Sequence, residues 1–130
     1  MGLFNIFKTE KKETNSLWKV IENEEDWQEA VRNSFQSKVL VFKHSTRCMI
    51  SRMVLNNFEK DLSKSPKDGY LFYYLDLLKH REISNAIAEQ MEVTHQSPQI
   101  LVLEKGKSIY NASHNNIQLK FLPYGENIQK

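Results

Sequence analysis

Lys38-Val39-Leu40-Val41-Phe42-Lys43-His44-Ser45-Thr46-Arg47-Cys48-Met49-Ile50-Ser51 is the stretch on which the reading turns. Its apolar run, Val39 to Phe42, does not alternate with polar residues and suits a strand buried on both faces. Ser45-Thr46-Arg47 turns the chain. From Cys48 the period changes: Ile50, Met53, Val54, Phe58 and Leu62 gather on one side of a helix. Strand, tight turn and a helix opening on the single cysteine set both the topology and the chemistry to be expected.

Working towards the N-terminus, Trp27, Ala30, Val31 and Phe35 form another apolar helical stripe. Glu24, Glu25 and Asp26 crowd its start, where acids suit the dipole. Leu17 to Ile21 precedes it as a short strand. Towards the C-terminus, Ser65-Pro66-Lys67-Asp68-Gly69 stops the cysteine helix and Tyr70 to Asp76 reads as a second buried strand. Its aromatics, Tyr70, Phe72, Tyr73 and Tyr74, read as core and sheet-face residues. Ile83, Ala86, Ile87, Gln90 and Met91 mark a third helix, and Val93 to Ser97 is a loop leading to Pro98. Gln99 to Glu104 and Lys107 to Ala112 are joined through Lys105-Gly106, a connection so short that it forces an antiparallel hairpin. Asn115 to Leu122 reads as a last short helix, stopped by Pro123.

The predicted order is therefore β-α-β-α-β-α-β-β-α. Helices between the first three strands imply crossovers, and the final hairpin adds an antiparallel edge. The economical arrangement is an α/β protein with a mixed central sheet and helices on both faces. This order is that of a thioredoxin-like fold.

The chain has 130 residues, 40% of them hydrophobic, which suits one domain with a real core. Residues 17–130 are expected to form it. Residues 1–16 read as a flexible or loosely packed N-terminal arm, and Ile6 stands where a myristoylation signal wants Ser or Thr. A net charge of +2 is too small to argue for nucleic acid. The longest apolar run is Tyr70 to Leu75, too short to span a membrane. One cysteine excludes an internal disulfide framework, no compact set of four metal ligands exists, and a lone thiol suits a reducing, cytoplasmic compartment.

Cys48 is the candidate nucleophile. Backbone N–H groups at a helix start favour a thiolate, and Arg47 adds a cation. The gain is large in principle: a thiol of pKa about 8.5 is only about 3% ionised at pH 7, and one brought to about 6 is roughly 90% ionised. The bland alternative is a small apolar residue facing the core. Ser51 stands three residues on, where dithiol motifs carry the second cysteine. It cannot resolve a mixed disulfide, but its hydroxyl can donate to the Cys48 thiolate; otherwise it is a helix-surface serine. Pro98 either faces the nucleophile in the cis form, as in thioredoxin-like sheets, or opens the strand in trans. His44 either tunes the thiol from behind or ends the strand facing solvent, and Asp76 caps or turns the chain.

Phe42-Lys43-His44-Ser45-Thr46-Arg47-Cys48, Ile50-Ser51 and Thr94-His95-Gln96-Ser97-Pro98-Gln99 together resemble the monothiol bacilliredoxins, the YtxJ-like proteins of the bacillithiol system. The resemblance covers roughly Leu17 to Ala112. It departs at Met49, which stands where the family's Thr-Cys-Pro-Ile-Ser carries proline and which lacks proline's preset φ. The resemblance implies that Cys48 removes bacillithiol from S-bacillithiolated client proteins, and that a low-molecular-weight thiol regenerates it. Bacillithiol is then a co-substrate and no bound cofactor is implied. Thr46, Arg47, Ser97 and Pro98 would hold the partner. Arg47, and with it Lys43, would meet the anionic malate of bacillithiol, unless Lys43 is a solvated surface charge. Two other readings remain at this point. One is a non-catalytic thioredoxin-like protein-binding module; the other is an iron–sulfur carrier of the monothiol glutaredoxin type, whose Cys-Gly-Phe-Ser is not matched by Met49 and Ile50.

Overall fold

The structure is a computed structural model and describes residues 17–123. The arm expected at 1–16 lies outside the described residues. The chain runs β1 (Lys19–Val20), α1 (Glu24–Asn33), β2 (Lys38–His44), α2 (Met49–Lys64), β3 (Tyr70–Asp76), α3 (Arg81–Met91), β4 (Gln99–Glu104) and β5 (Lys107–Ser113). The five strands make one sheet in the order β1-β3-β2-β4-β5. β1 and β2 run parallel to β3, whereas β4 is antiparallel to β2 and to β5. This is the mixed α/β sheet expected from the sequence.

The alternation of side chains divides the core. Leu40 and Phe42 of β2 pack with Trp18 and with Val54, Phe58 and Leu62 of α2. Val39 and Val41 face the other way and pack with Trp27 and Ala30 of α1 and with Ile83, Ile87 and Met91 of α3. β2 is thus covered on both sides, which is why its sequence shows no alternation.

Local chemistry sets the element ends. Asn23 caps α1, its side chain accepting the Asp26 amide at 2.8 Å, and the three acids fill the first turn. The β4–β5 hairpin turns on Lys105 and Gly106, both at positive φ, as the tight two-residue connection requires. Ser34 pins that hairpin, its carbonyl accepting Lys105 N–H and its hydroxyl accepting Gly106 N–H.

Three expectations need correction. The first strand is two residues long: Lys19 and Val20 pair with β3, while the flanking Trp18 and Ile21 fill the two cores, with Ile21 N–H still donating to the Tyr74 carbonyl. The terminal helix is replaced by two single 3-10 turns, His114–Asn116 and Leu119–Phe121. Ile117 between them is extended, and burying Ile117, Leu119 and Leu122 together requires a path that no single helix follows. Phe35 lies beyond the end of α1 and is 61% exposed. Its ring lies over Gly106, where an added Cβ would come within 3.1 Å of it.

Candidate functional site

The register of β2 places the site. Its last residues, Lys43 and His44, pair with Leu75 and Asp76 of β3. On its other side Lys43 pairs with Gln99, the first residue of β4. The turn carrying Thr46, Arg47 and Cys48 therefore leaves the same end of the sheet at which the Ser97-Pro98 peptide enters. That peptide is cis, and Pro98 is buried with its carbonyl accepting His114 N–H at 3.1 Å.

Cys48 is the residue before the first turn of α2. Its backbone is extended, its N–H donates to the Ser45 carbonyl at 3.1 Å, and its own carbonyl accepts Arg52 N–H. The side chain makes no capping bond, and the thiol is free and half-buried. It is thus not sequestered in the core, as the bland reading required. Thr46, Arg47, Met49 and Arg52 around it are exposed. Met49, at 68%, is among the most exposed apolar residues, and Ile50 and Met53 join it. Ile50 and Met53 were expected on the same side of α2 as Val54, Phe58 and Leu62. The face against the sheet is instead Ser51, Val54, Phe58 and Leu62, which leaves Ile50 and Met53 on the flank.

Ser51 is neither a surface serine nor turned to the thiol. It is fully buried, its Oγ accepts Ser45 N–H at 3.1 Å, and it lies 2.8 Å from His44 Nδ1. The hydroxyl ties the first turn of α2 to the end of β2. His44 is buried as well and does not face solvent. Its ring stands against Tyr74 and Phe42. Burial pushes its pKa below the usual histidine value, with Asp76 opposing and Arg52 reinforcing the shift. Asp76 turns the chain as expected: its carboxylate accepts Leu78 and Lys79 N–H.

Lys43 is not a surface charge and does not join the Cys48 turn. It is 0% exposed and faces the α1–α3 side, where Nζ donates to the Ser84 carbonyl at 3.2 Å. Burial lowers its pKa to about 8. Strand alternation carried the signal, since Lys43 shares parity with Val39 and Val41. Ser84 and Gln99, also buried there, were not singled out from the sequence.

Residues 19–122 match the family model described as monothiol bacilliredoxin BrxC. The chain belongs to the monothiol bacilliredoxin family. Membership brings thiol redox chemistry, and this bacilliredoxin sequence holds a single cysteine. A proposed oxidoreductase with a thioredoxin fold superposes with a TM-score of 0.70 at 26% identity, over 81% of this chain and 89% of its own. Malassezia sympodialis thioredoxin superposes with a TM-score of 0.62 at 19% identity, covering 75% and 78% of the two chains. Fasciola hepatica thioredoxin gives 0.59 at 18%, covering 76% and 88%. The two thioredoxins show the fold alone. Among the described residues, no helix is long and apolar enough to cross a membrane.

Proposed function

We propose that the protein is a thiol-disulfide oxidoreductase that removes bacillithiol from S-bacillithiolated proteins through a mixed disulfide at Cys48. The observation that carries this reading is the environment of the thiol. A free, half-buried Cys48 sits at the start of α2, at the end of the sheet where the Ser97-Pro98 peptide enters, and the position three residues on is a buried serine engaged elsewhere. Such a site can accept a mixed disulfide but has no second thiol with which to resolve it.

The exchange balances without an added oxidant. The Cys48 thiolate attacks the bacillithiol sulfur of the client's mixed disulfide, and the S–S bond breaks. The client thiolate leaves and takes up a proton. Cys48 now carries bacillithiol. A low-molecular-weight thiolate attacks the bacillithiol sulfur in turn, forming a small disulfide and returning the Cys48 thiolate. Bacillithiol is thus a co-substrate, and no bound cofactor takes part. Thr46, Arg47, Ser97 and Pro98, at the same end of the sheet as Cys48, would hold the partner, with Arg47 meeting the anionic malate. His44 and Ser51 act behind Cys48 by holding the turn. The client chemistry belongs in a reducing cytoplasm.

The test is turnover of an S-bacillithiolated peptide. Cys48→Ala is expected to abolish release of the peptide thiol, whereas Ser51→Ala only slows it. Full activity in Cys48→Ala would refute the mechanism. A wild-type protein that binds the partner but performs no exchange, with binding unchanged in Cys48→Ser, would establish the binding module instead.

A further inference from the structure

On the sheet face turned away from α2 lies a polar group that the exchange chemistry of Cys48 does not use. Lys43, fully buried, donates from Nζ to the carbonyl of Ser84 in the first turn of α3. Ser84 is fully buried too, and its Oγ lies 3.4 Å from His95 Nδ1. Gln99, the cross-strand neighbour of Lys43, is 1% exposed. Its Nε2 donates to the Thr94 carbonyl at 2.9 Å, while its Oε1 is buried without a partner among the described residues.

These bonds converge on one segment. Thr94 is held through Gln99 and His95 through Ser84, with Lys43 behind both. Among the described residues, no backbone–backbone hydrogen bond holds Thr94 to Ser97. The loop leading to Pro98 therefore takes its side-chain anchors from this buried group. A buried amine and a buried amide with an orphan acceptor are costly, and apolar side chains of similar volume would serve stability as well or better. Their polar ends are directed towards the loop, and that direction is what an apolar pair would not supply.

We propose that Lys43, Ser84 and Gln99 are positioning residues that set the Thr94–Pro98 loop for the thiol partner of Cys48, acting from the sheet face opposite α2. The inference rests on the reading that this loop meets the partner.

The test compares two reactions of the full chain. Alkylation of Cys48 by iodoacetamide needs no loop, whereas exchange with an S-bacillithiolated peptide does. Gln99→Leu and Lys43→Met are expected to raise KM for the peptide about tenfold, the loss of roughly one hydrogen bond in the complex. Alkylation rate is expected to stay within about twofold, a spread of under half a kcal/mol, and Tm to hold or rise. Ser84→Ala removes only the hydroxyl and offers a milder variant should the others fold poorly, with a KM rise of about threefold expected. An unchanged KM, or alkylation falling in parallel with exchange, would overturn the proposal. Should the wild type not turn over the peptide at all, the bacillithiol reading fails separately. The positioning proposal is then read from backbone amide order parameters at Thr94 to Ser97. These are expected to fall from about 0.85 towards 0.6 in Gln99→Leu, and unchanged values would overturn it.

Discussion

Ser51 Oγ lies 2.8 Å from His44 Nδ1 and accepts the Ser45 amide hydrogen at 3.1 Å, so one buried hydroxyl joins the start of α2 to the end of β2. Ser51→Ala removes both bonds and leaves the Ser45 amide and the His44 ring without that partner. Losing a buried hydroxyl in this way is expected to cost about 1–3 kcal/mol, read as a lower urea midpoint with an unchanged m value. Exchange is expected to slow because the Ser45–Arg47 turn loosens. A variant as stable as the wild type would show that the hydroxyl does not hold the turn.

Ser51→Cys asks whether the site converts to a dithiol. Helical residues three apart have Cα atoms about 5 Å apart, inside the usual disulfide range of about 4.4–6.8 Å. The variant is expected to lose two hydrogens on oxidation, seen in the intact mass, and to release bound bacillithiol by internal attack from position 51. A long-lived bacillithiol adduct on that variant would contradict this geometry.

His44 gives the fold an acid-sensitive point. Burial lowers its pKa from 6.5, with Asp76 opposing and Arg52 reinforcing, and burial lowers that of His95 as well. The unfolded chain therefore takes up protons first as pH falls through 6.5, and stability declines below that value. At higher pH both states are neutral and the effect vanishes. Urea midpoints measured between about pH 7.5 and pH 5.5 are expected to fall for the wild type and to fall less for His44→Asn, which does not titrate. Equal slopes would remove His44 from the account.

Lys43 acts at the opposite end of the scale. Its pKa is lowered from 10.5 to about 8 by burial. Below pH 8 both folded and unfolded chains carry the charge, and the fold bears the full penalty of burying it. Between 8 and 10.5 the folded chain releases the proton first, so stability rises with pH. At about 1.36 kcal/mol per pH unit the whole effect is about 3 kcal/mol as an upper bound. Lys43→Met is expected to stabilise the protein at neutral pH by about 1–3 kcal/mol and to flatten its stability between pH 8 and 10.5. A destabilised Lys43→Met, with the slope intact, would contradict this.

The central elements were legible because period and burial agree there. The predicted strand run, Val39 to Phe42, lies inside the observed β2, since an uninterrupted apolar run bounded by polar residues has one economical reading. The end of β3 and the turn at Asp76 were equally plain. β1 was overextended because the apolarity of Trp18 and Ile21 reports the two cores they fill and says nothing of strand length. The last helix failed because Ile117, Leu119 and Leu122 are buried without helical spacing.

At the site, the position of Cys48 followed from strand, turn and helix, but the direction of the side chains around it did not. Local spacing suggested Ser51 as a partner for Cys48, whereas burial turns it to His44 and Ser45. Lys43 was read by its charge rather than by its parity in the strand. Gln99 and Ser84 both meet Lys43 from elements far from it in sequence, Gln99 as its cross-strand neighbour and Ser84 through its carbonyl, which no local pattern encodes.

The most direct measurement mixes the reduced protein with an S-bacillithiolated client peptide in the absence of any other thiol. The intact mass is then recorded and the modified residue mapped. The account predicts a mass increase of one bacillithiol on Cys48 and release of one peptide thiol for each adduct formed. An unmodified Cys48, or a Cys48 carrying the peptide in place of bacillithiol, would contradict it.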